Sequence, residues 1–120
     1  MHRIVFYTTA RGESPVDDFL DGLSAKARAK ADNFIDLLAR EGHSLRRPYT
    51  DVLRGKIREL RIPYGTNQYR ILYFFFRGDC IVLLHGFTKK TQKVPAKEFE
   101  RAERYVQDFI SRYEMGEIKL

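Results

Sequence analysis

Between Lys56 and Lys93 the chain reads KIRELRIPYGTNQYRILYFFFRGDCIVLLHGFTKKTQK, three β-branched and aromatic runs divided by two turn sequences. The runs fall at about Lys56–Ile62, Gln68–Phe76 and Cys80–Phe87. The turns are Pro63-Tyr64-Gly65-Thr66-Asn67 and Arg77-Gly78-Asp79. A parallel crossover needs a dozen or more residues, so connections this short only allow each run to fold back on the one before. Three antiparallel strands are therefore fixed, and the remaining segments must pack on that meander.

The flanking segments read as one further strand and three helices. Arg3 to Thr9 (RIVFYTT) has strand composition. Ser14-Pro15-Val16-Asp17 is a helix start, with Ser as N-cap and Pro at the first helical position, and Val16, Phe19, Leu20 and Leu23 follow at helical spacing. A second helix starts at Ser24, places Ala27, Ala31, Phe34, Ile35 and Leu38 on one face, and stops at Gly42. Almost no loop separates the two, which predicts a tight helical hairpin over one sheet face. His43 to Gly55 is polar, contains Pro48 and reads as irregular, with a turn around Gly55. The last helix spans about Pro95 to Glu114, with Phe99, Ala102, Val106, Phe109, Ile110 and Tyr113 inward. The expected order is β-α-α-β-β-β-α, a single α+β domain over residues 1–120 with helices packed on a small, mainly antiparallel sheet.

Charge is concentrated in the same central block. His43 to Lys93 carries eleven Lys/Arg against three acids, +8, while the other 69 residues carry eleven basic and thirteen acidic groups, −2. A folded domain that gathers its charge this way faces a polyanion. A membrane surface is disfavoured, since no helix pairs a basic face with a strongly apolar one. The N-terminal MHRIVFYTT has no apolar run of signal-peptide length. Cys80 is the only cysteine and opens an apolar strand, which fits a buried thiol in a reducing cytosol, so the expected location is cytoplasmic. His2, His43 and His85 are scattered and show no metal-ligand spacing; neither metal nor cofactor is expected.

The segments Gly55-Lys56-Ile57-Arg58-Glu59-Leu60-Arg61, Gln68-Tyr69-Arg70-Ile71-Leu72-Tyr73 and His85-Gly86-Phe87-Thr88-Lys89-Lys90-Thr91-Gln92, in that order, resemble the RelE/ParE toxin superfamily. The closest likeness is to its phage-derived, HigB-like branch, and it covers nearly the whole chain. The resemblance implies a RelE-like fold and a type II toxin that binds the ribosomal decoding site and cuts mRNA. It also implies a small cognate antitoxin, a helix-turn-helix protein encoded by an adjacent gene. The basic sheet alone implies only a polyanion partner, nucleic acid or an acidic protein.

Metal-free RNA cleavage needs activation of the ribose 2′-OH, stabilisation of the phosphorane charge, and protonation of the departing 5′-oxygen. Guanidinium groups suit the middle task, because their planar fork matches phosphate oxygens and stays charged. Arg61 and Arg70 stand where RelE-type toxins carry catalytic or phosphate-binding cations; the competing reading is a strand salt bridge, Arg61 with Glu59 or another acid. Alternation puts Arg58 on the face of Leu60 and Ile62, opposite Arg61, where it serves RNA contact or a surface ion pair. His85, at a strand end beside basic residues, is a candidate acid or base, or else a core histidine. Lys89 is assigned to the catalytic group with these residues. Lys90 and Gln92 are candidate RNA contacts, with Gln92 alternatively capping the turn before the last helix.

Phe87 departs from the pattern. Some HigB relatives have a tyrosine there, and RelE places one near the position of Pro95; this chain has neither. Phe87 either stacks on a base or fills core, and it cannot transfer a proton. Tyr49, Tyr64 and Tyr69 are substitutes in principle, although Tyr69 reads as a sheet residue. Tyr73-Phe74-Phe75-Phe76 reads as a strand buried on both faces. Two other functions fit the same fold: a ParE-like toxin that binds gyrase, and a non-catalytic RNA-binding regulator. Clustered cations favour the nuclease over the first, and the missing tyrosine keeps the second open.

Overall fold

Turn chemistry sets the frame of the sheet. In a computed structural model, which describes residues 1–120, Arg77 and Gly78 both take positive φ, 59° and 80°. That geometry matches the right-handed strand twist of a tight hairpin, and glycine takes it without steric cost. Arg77 is held there by forked hydrogen bonds to Asp79 and a bond to the Tyr113 hydroxyl at 3.0 Å. This turn joins β4 (Asn67–Phe76) to β5 (Cys80–Thr88), and Gly65-Thr66 joins β3 (Ile57–Tyr64) to β4.

The elements before the meander are β1 (Arg3–Phe6), α1 (Pro15–Asp21), α2 (Ala25–Glu41), a 3-10 turn at Gly42–Ser44, and β2 (Thr50–Arg54). α3 (Ala96–Glu114) closes the fold. The sheet order is β1-β5-β4-β3-β2, with β1 parallel to β5 and every other pairing antiparallel. The α+β expectation holds.

The sequence pattern does not by itself reveal β2, which lies within the segment expected to be irregular. Thr50-Asp51-Val52-Leu53-Arg54 is an edge strand paired only to β3, so three of its five residues are polar and its burial alternates weakly. The signal was the β-branched Thr50 and Val52 at period two, just before the Gly55 turn. β1 is also shorter than read and ends at Phe6.

Two apolar layers sandwich the sheet. Leu60, Ile62, Ile71, Tyr73, Ile81 and Leu83 meet α1 and α2 through Val16, Leu20, Ala31, Ile35 and Leu38. Ile57, Leu72, Phe74, Val82 and Leu84 meet α3 through Phe99, Ala102, Val106 and Phe109. The strand Tyr73–Phe76 is core: Tyr73 and Phe74 are buried, Phe75 and Phe76 half-buried. Cys80 is a buried free thiol. Pro15 sits at the first position of α1, although the Ser14 hydroxyl makes no capping bond. The Ser24 hydroxyl caps α2 by accepting from the Ala27 N–H at 3.2 Å, and α3 begins at Ala96, one residue after the expected Pro95.

A bulge in β5 decides which side chains reach α3. Leu72 pairs with His85 and Tyr73 with Leu83, so Leu84 is an extra residue. Leu84 and His85 consequently both face α3, and Gly86 faces α1. A Cβ at Gly86 would lie 2.5 Å from Phe19 Cδ2 and 2.8 Å from its Cγ. Gly86→Ala should therefore destabilise by about 1–3 kcal/mol through overpacking, seen as a lower urea midpoint at unchanged slope. Adding Phe19→Leu should recover part of the loss; strict additivity of the two changes would refute the contact.

Candidate functional site

Cross-strand register gathers the cations. Arg61 on β3 pairs with Arg70 on β4, and Arg70 pairs with Phe87 on β5, so all three share the α3 side of the sheet. α3 packs over β4 and β5. At the strand ends β4 and β5 border an open cleft of about 600 Å³. None of its nine lining residues is hydrophobic or acidic; Arg70, Lys89, Lys90 and Gln92 are among them, with Gln68 and the threonines at 66, 88 and 91. The Lys89 N–H donates to the Gln68 carbonyl at 2.7 Å, which extends the hairpin ladder and fixes the lysine's backbone against β4.

Arg70 is only 6% exposed. Its Nη1 donates to the Tyr69 carbonyl at 3.1 Å and to Gln68 Oε1 at 3.4 Å. Its Nε faces Glu59 Oε2 at 3.7 Å. Burial and the neighbouring Arg61 push the Arg70 pKa down, with Glu59 opposing, and a guanidinium stays charged regardless. Glu59, itself buried, also accepts from Arg61 Nε at 2.8 Å. Asp51 on β2 takes Arg61 Nη2 at 3.3 Å and binds Arg47 at 2.7 Å. Its carboxyl is held below the usual range, chiefly by the Arg47 hydrogen bond. The sequence-level alternative for Arg61 is thus realised: it is ion-paired to Glu59 and Asp51. Its side chain keeps 31% exposure beside Arg70.

His85 is not in the cleft. It is buried on the α3 side, with Nε2 3.3 Å from Glu98 Oε1 and its ring stacked on Phe87 at 5.8 Å. Phe87, 8% exposed, belongs to the α3-side core. Arg58 lies on the opposite face, paired with Tyr73 in register and over the Phe75 ring at 5.9 Å. Of the eight residues singled out from sequence, the cleft therefore brings together Arg70, Lys89, Lys90 and Gln92. Arg61 stands beside it, and His85, Phe87 and Arg58 are directed elsewhere.

No tyrosine lines the cleft. Tyr69 is buried against Phe19, and Tyr49 lies edge-on to Phe34 at 5.6 Å. No three His, Cys, Asp or Glu side chains gather into a group able to hold a metal ion. Sequence reasoning missed Gln68 and treated Glu59 only as a partner for Arg61. Gln68 stands two residues before Arg70, hence on the same strand face, which was the available signal.

Burial pushes the His85 pKa below the ordinary 6.5, with Glu98 opposing and Arg101 assisting. A lowered folded-state value means the unfolded chain binds the proton more readily. Stability should therefore fall as pH drops through 6.5 and level off below the folded-state value. His85→Gln should flatten that part of a urea-midpoint curve; an unchanged curve would refute the assignment.

The fold and cleft define a class: a small α+β protein with a rigid, acid-free cationic cleft at the end of its sheet, suited to a phosphate-bearing polymer. Comparison with protein families then places it. Residues 18–107 match the model of the phage-derived protein Gp49-like family (DUF891), and the chain belongs to that family. A comparison with curated proteins gives no match. No helix is long and apolar enough to cross a membrane.

Proposed function

We propose that this protein is the toxin of a type II toxin–antitoxin pair, a ribosome-dependent endoribonuclease that cuts mRNA with no metal ion in the chemical step. Membership of the phage-derived Gp49-like family and the resemblance to the HigB-like branch support the toxin reading. The observation that carries the nuclease reading is Arg70, a buried guanidinium fixed by Gln68, Tyr69 and Glu59 at a cleft with two lysines and no acid. Donors held in place where charge develops stabilise a transition state without reorganising.

In this reading the 2′-oxygen attacks phosphorus, the bond to the 5′-oxygen breaks, and a 2′,3′-cyclic phosphate and a 5′-hydroxyl result. Arg70 and Arg61 stabilise the phosphorane. Lys89 and Lys90 neutralise the departing oxygen, and solvent carries the proton from the 2′-OH to the 5′-oxygen. mRNA in the ribosomal decoding site is the substrate. The antitoxin is a helix-turn-helix protein from a neighbouring gene.

Expression without antitoxin should arrest growth and stop amino-acid incorporation within the first generations. Normal growth while folded protein accumulates would end the toxin reading. One observation favours a second function: the cleft holds neither histidine nor tyrosine, which suits an RNA binder that does not cut. Growth arrest with intact mRNA would decide for that alternative.

A further inference from the structure

A second basic pocket lies at the outer edge of the sheet, away from the cleft. Arg46 and Arg47 from the loop before β2, Arg58 of β3, and Thr50, Asp51 and Val52 of β2 enclose about 400 Å³. Its one acid is saturated. Asp51 Oδ2 accepts from Arg47 Nε at 3.0 Å, Arg47 Nη2 at 2.7 Å and Arg61 Nη2 at 3.3 Å, and Oδ1 accepts the Val52 N–H at 2.9 Å.

Arg46 and Arg58 reach no carboxylate. Arg58 Nε is buried without an acceptor. Beside it the buried Tyr73 hydroxyl has a raised pKa that Arg58 partly offsets. A buried guanidinium N–H lacking an acceptor is costly, and an anionic oxygen satisfies it best.

This pocket is joined to the cleft by a chain of charges. Arg47, Asp51, Arg61, Glu59 and Arg70 follow one another across β2, β3 and β4 with alternating sign. Both ends of the chain are cationic, and its two acids are each engaged by arginine. Arg58 stands on the α1/α2 side of β3 and Arg70 on the α3 side of β4. A strand that joins pocket and cleft therefore passes round the β2 edge, where Arg46 and Arg47 stand, a path that several nucleotides span. Tyr49, next to the pocket in sequence, is 38% exposed and offers a ring face to a base. Guanidinium groups at both ends of a path, with an exposed aromatic at one end, match a single-stranded nucleic acid better than an acidic peptide.

We propose that the Arg46–Arg47–Arg58 pocket is a second phosphate-binding site, which takes the backbone of the same RNA strand whose phosphate occupies the Arg70 cleft. The proposal rests on reading that cleft as a phosphate site. Arg47 is already committed to Asp51, so Arg46 and Arg58 supply the free donors.

The test titrates the protein with a 2′-O-methyl dinucleotide bearing one phosphodiester, read by backbone amide NMR. The dinucleotide should shift the amides of Thr50, Asp51 and Val52 as well as those of Gln68 and Lys89. Arg46→Ala/Arg58→Ala should abolish the first set and spare the second. For a 2′-O-methyl RNA of about twelve nucleotides, affinity should fall by about tenfold, and the log K against log salt slope should flatten by roughly 0.7 for each phosphate no longer neutralised. Because Arg58 is half-buried, the exposed Arg46→Glu variant provides the same reading in a fold left undisturbed.

Silent amides at residues 50–52 in the wild type, or unchanged RNA affinity and slope in both variants, would overturn the proposal. So would a response there to poly-glutamate but not to the dinucleotide, which would assign the pocket to an acidic protein. Response at residues 50–52 with silence at Gln68 and Lys89 would instead remove the cleft reading and leave the edge pocket as a phosphate site.

Discussion

Arg70→Ala should abolish toxicity and lower mRNA cleavage by about 10²–10³, the usual cost of one preorganised donor to a developing oxyanion. The effect should be on chemistry, because the fold keeps its supports. Glu59 Oε1 remains bonded to Arg61 at 2.8 Å, so the buried carboxylate keeps one of its two cationic partners. Lys89 and Lys90 still line the cleft, so ribosome binding should weaken far less than cutting. Arg70→Lys should rescue only in part, since an ammonium keeps the charge and loses the fork. Arg70→Met keeps volume without charge and should behave like alanine in activity, with a lowered unfolding midpoint, because it removes one partner of a buried ion pair and leaves Glu59 Oε2 without a cation beside it. A folded, fully toxic Arg70→Ala protein would remove Arg70 from the chemistry.

Programmed ribosomes carrying mRNA with a single 2′-deoxy sugar at the cut position should show no cleavage, while the matching all-ribose mRNA is cut to a 2′,3′-cyclic phosphate. The ionisable groups that line the cleft are arginine and lysine. Such groups stabilise charge and position a phosphate, but they are poor nucleophiles when protonated, so the proposed reaction takes its attacking oxygen from the substrate's own 2′-OH. Chelation would be a misleading control because ribosomes themselves require magnesium. Efficient cutting of the deoxy substrate would refute attack by the 2′-OH and point to an external water. Binding of both substrates with cutting of neither would establish the non-catalytic RNA binder.

The two outcomes together separate positioning from chemistry. Arg61 provides the internal comparison: it is in register with Arg70 but shared between Glu59 and Asp51, so it has fewer free donors for phosphate.

The sequence by itself determined the meander, the three helices, the face of each β3 residue and the basic character of the central block. These follow from short-range rules: turns too short to cross over, Pro and Ser at helix starts, and side chains alternating at period two. Arg58 opposite Arg61 was read correctly because both lie on one uninterrupted strand. Tertiary structure alone decided the rest. β2 is a strand because the exposed edge of β3 pairs with it, although its own composition is polar. The bulge at Leu84 turned His85 toward Glu98 and Phe87 into the α3-side core, where plain alternation from Leu84 would have sent both to the other face. Glu59 became the clamp between Arg61 and Arg70 only because register set those strands side by side. Pairing, bulges and buried ion networks depend on which distant segments pack best together, and that free energy is not written in any local pattern.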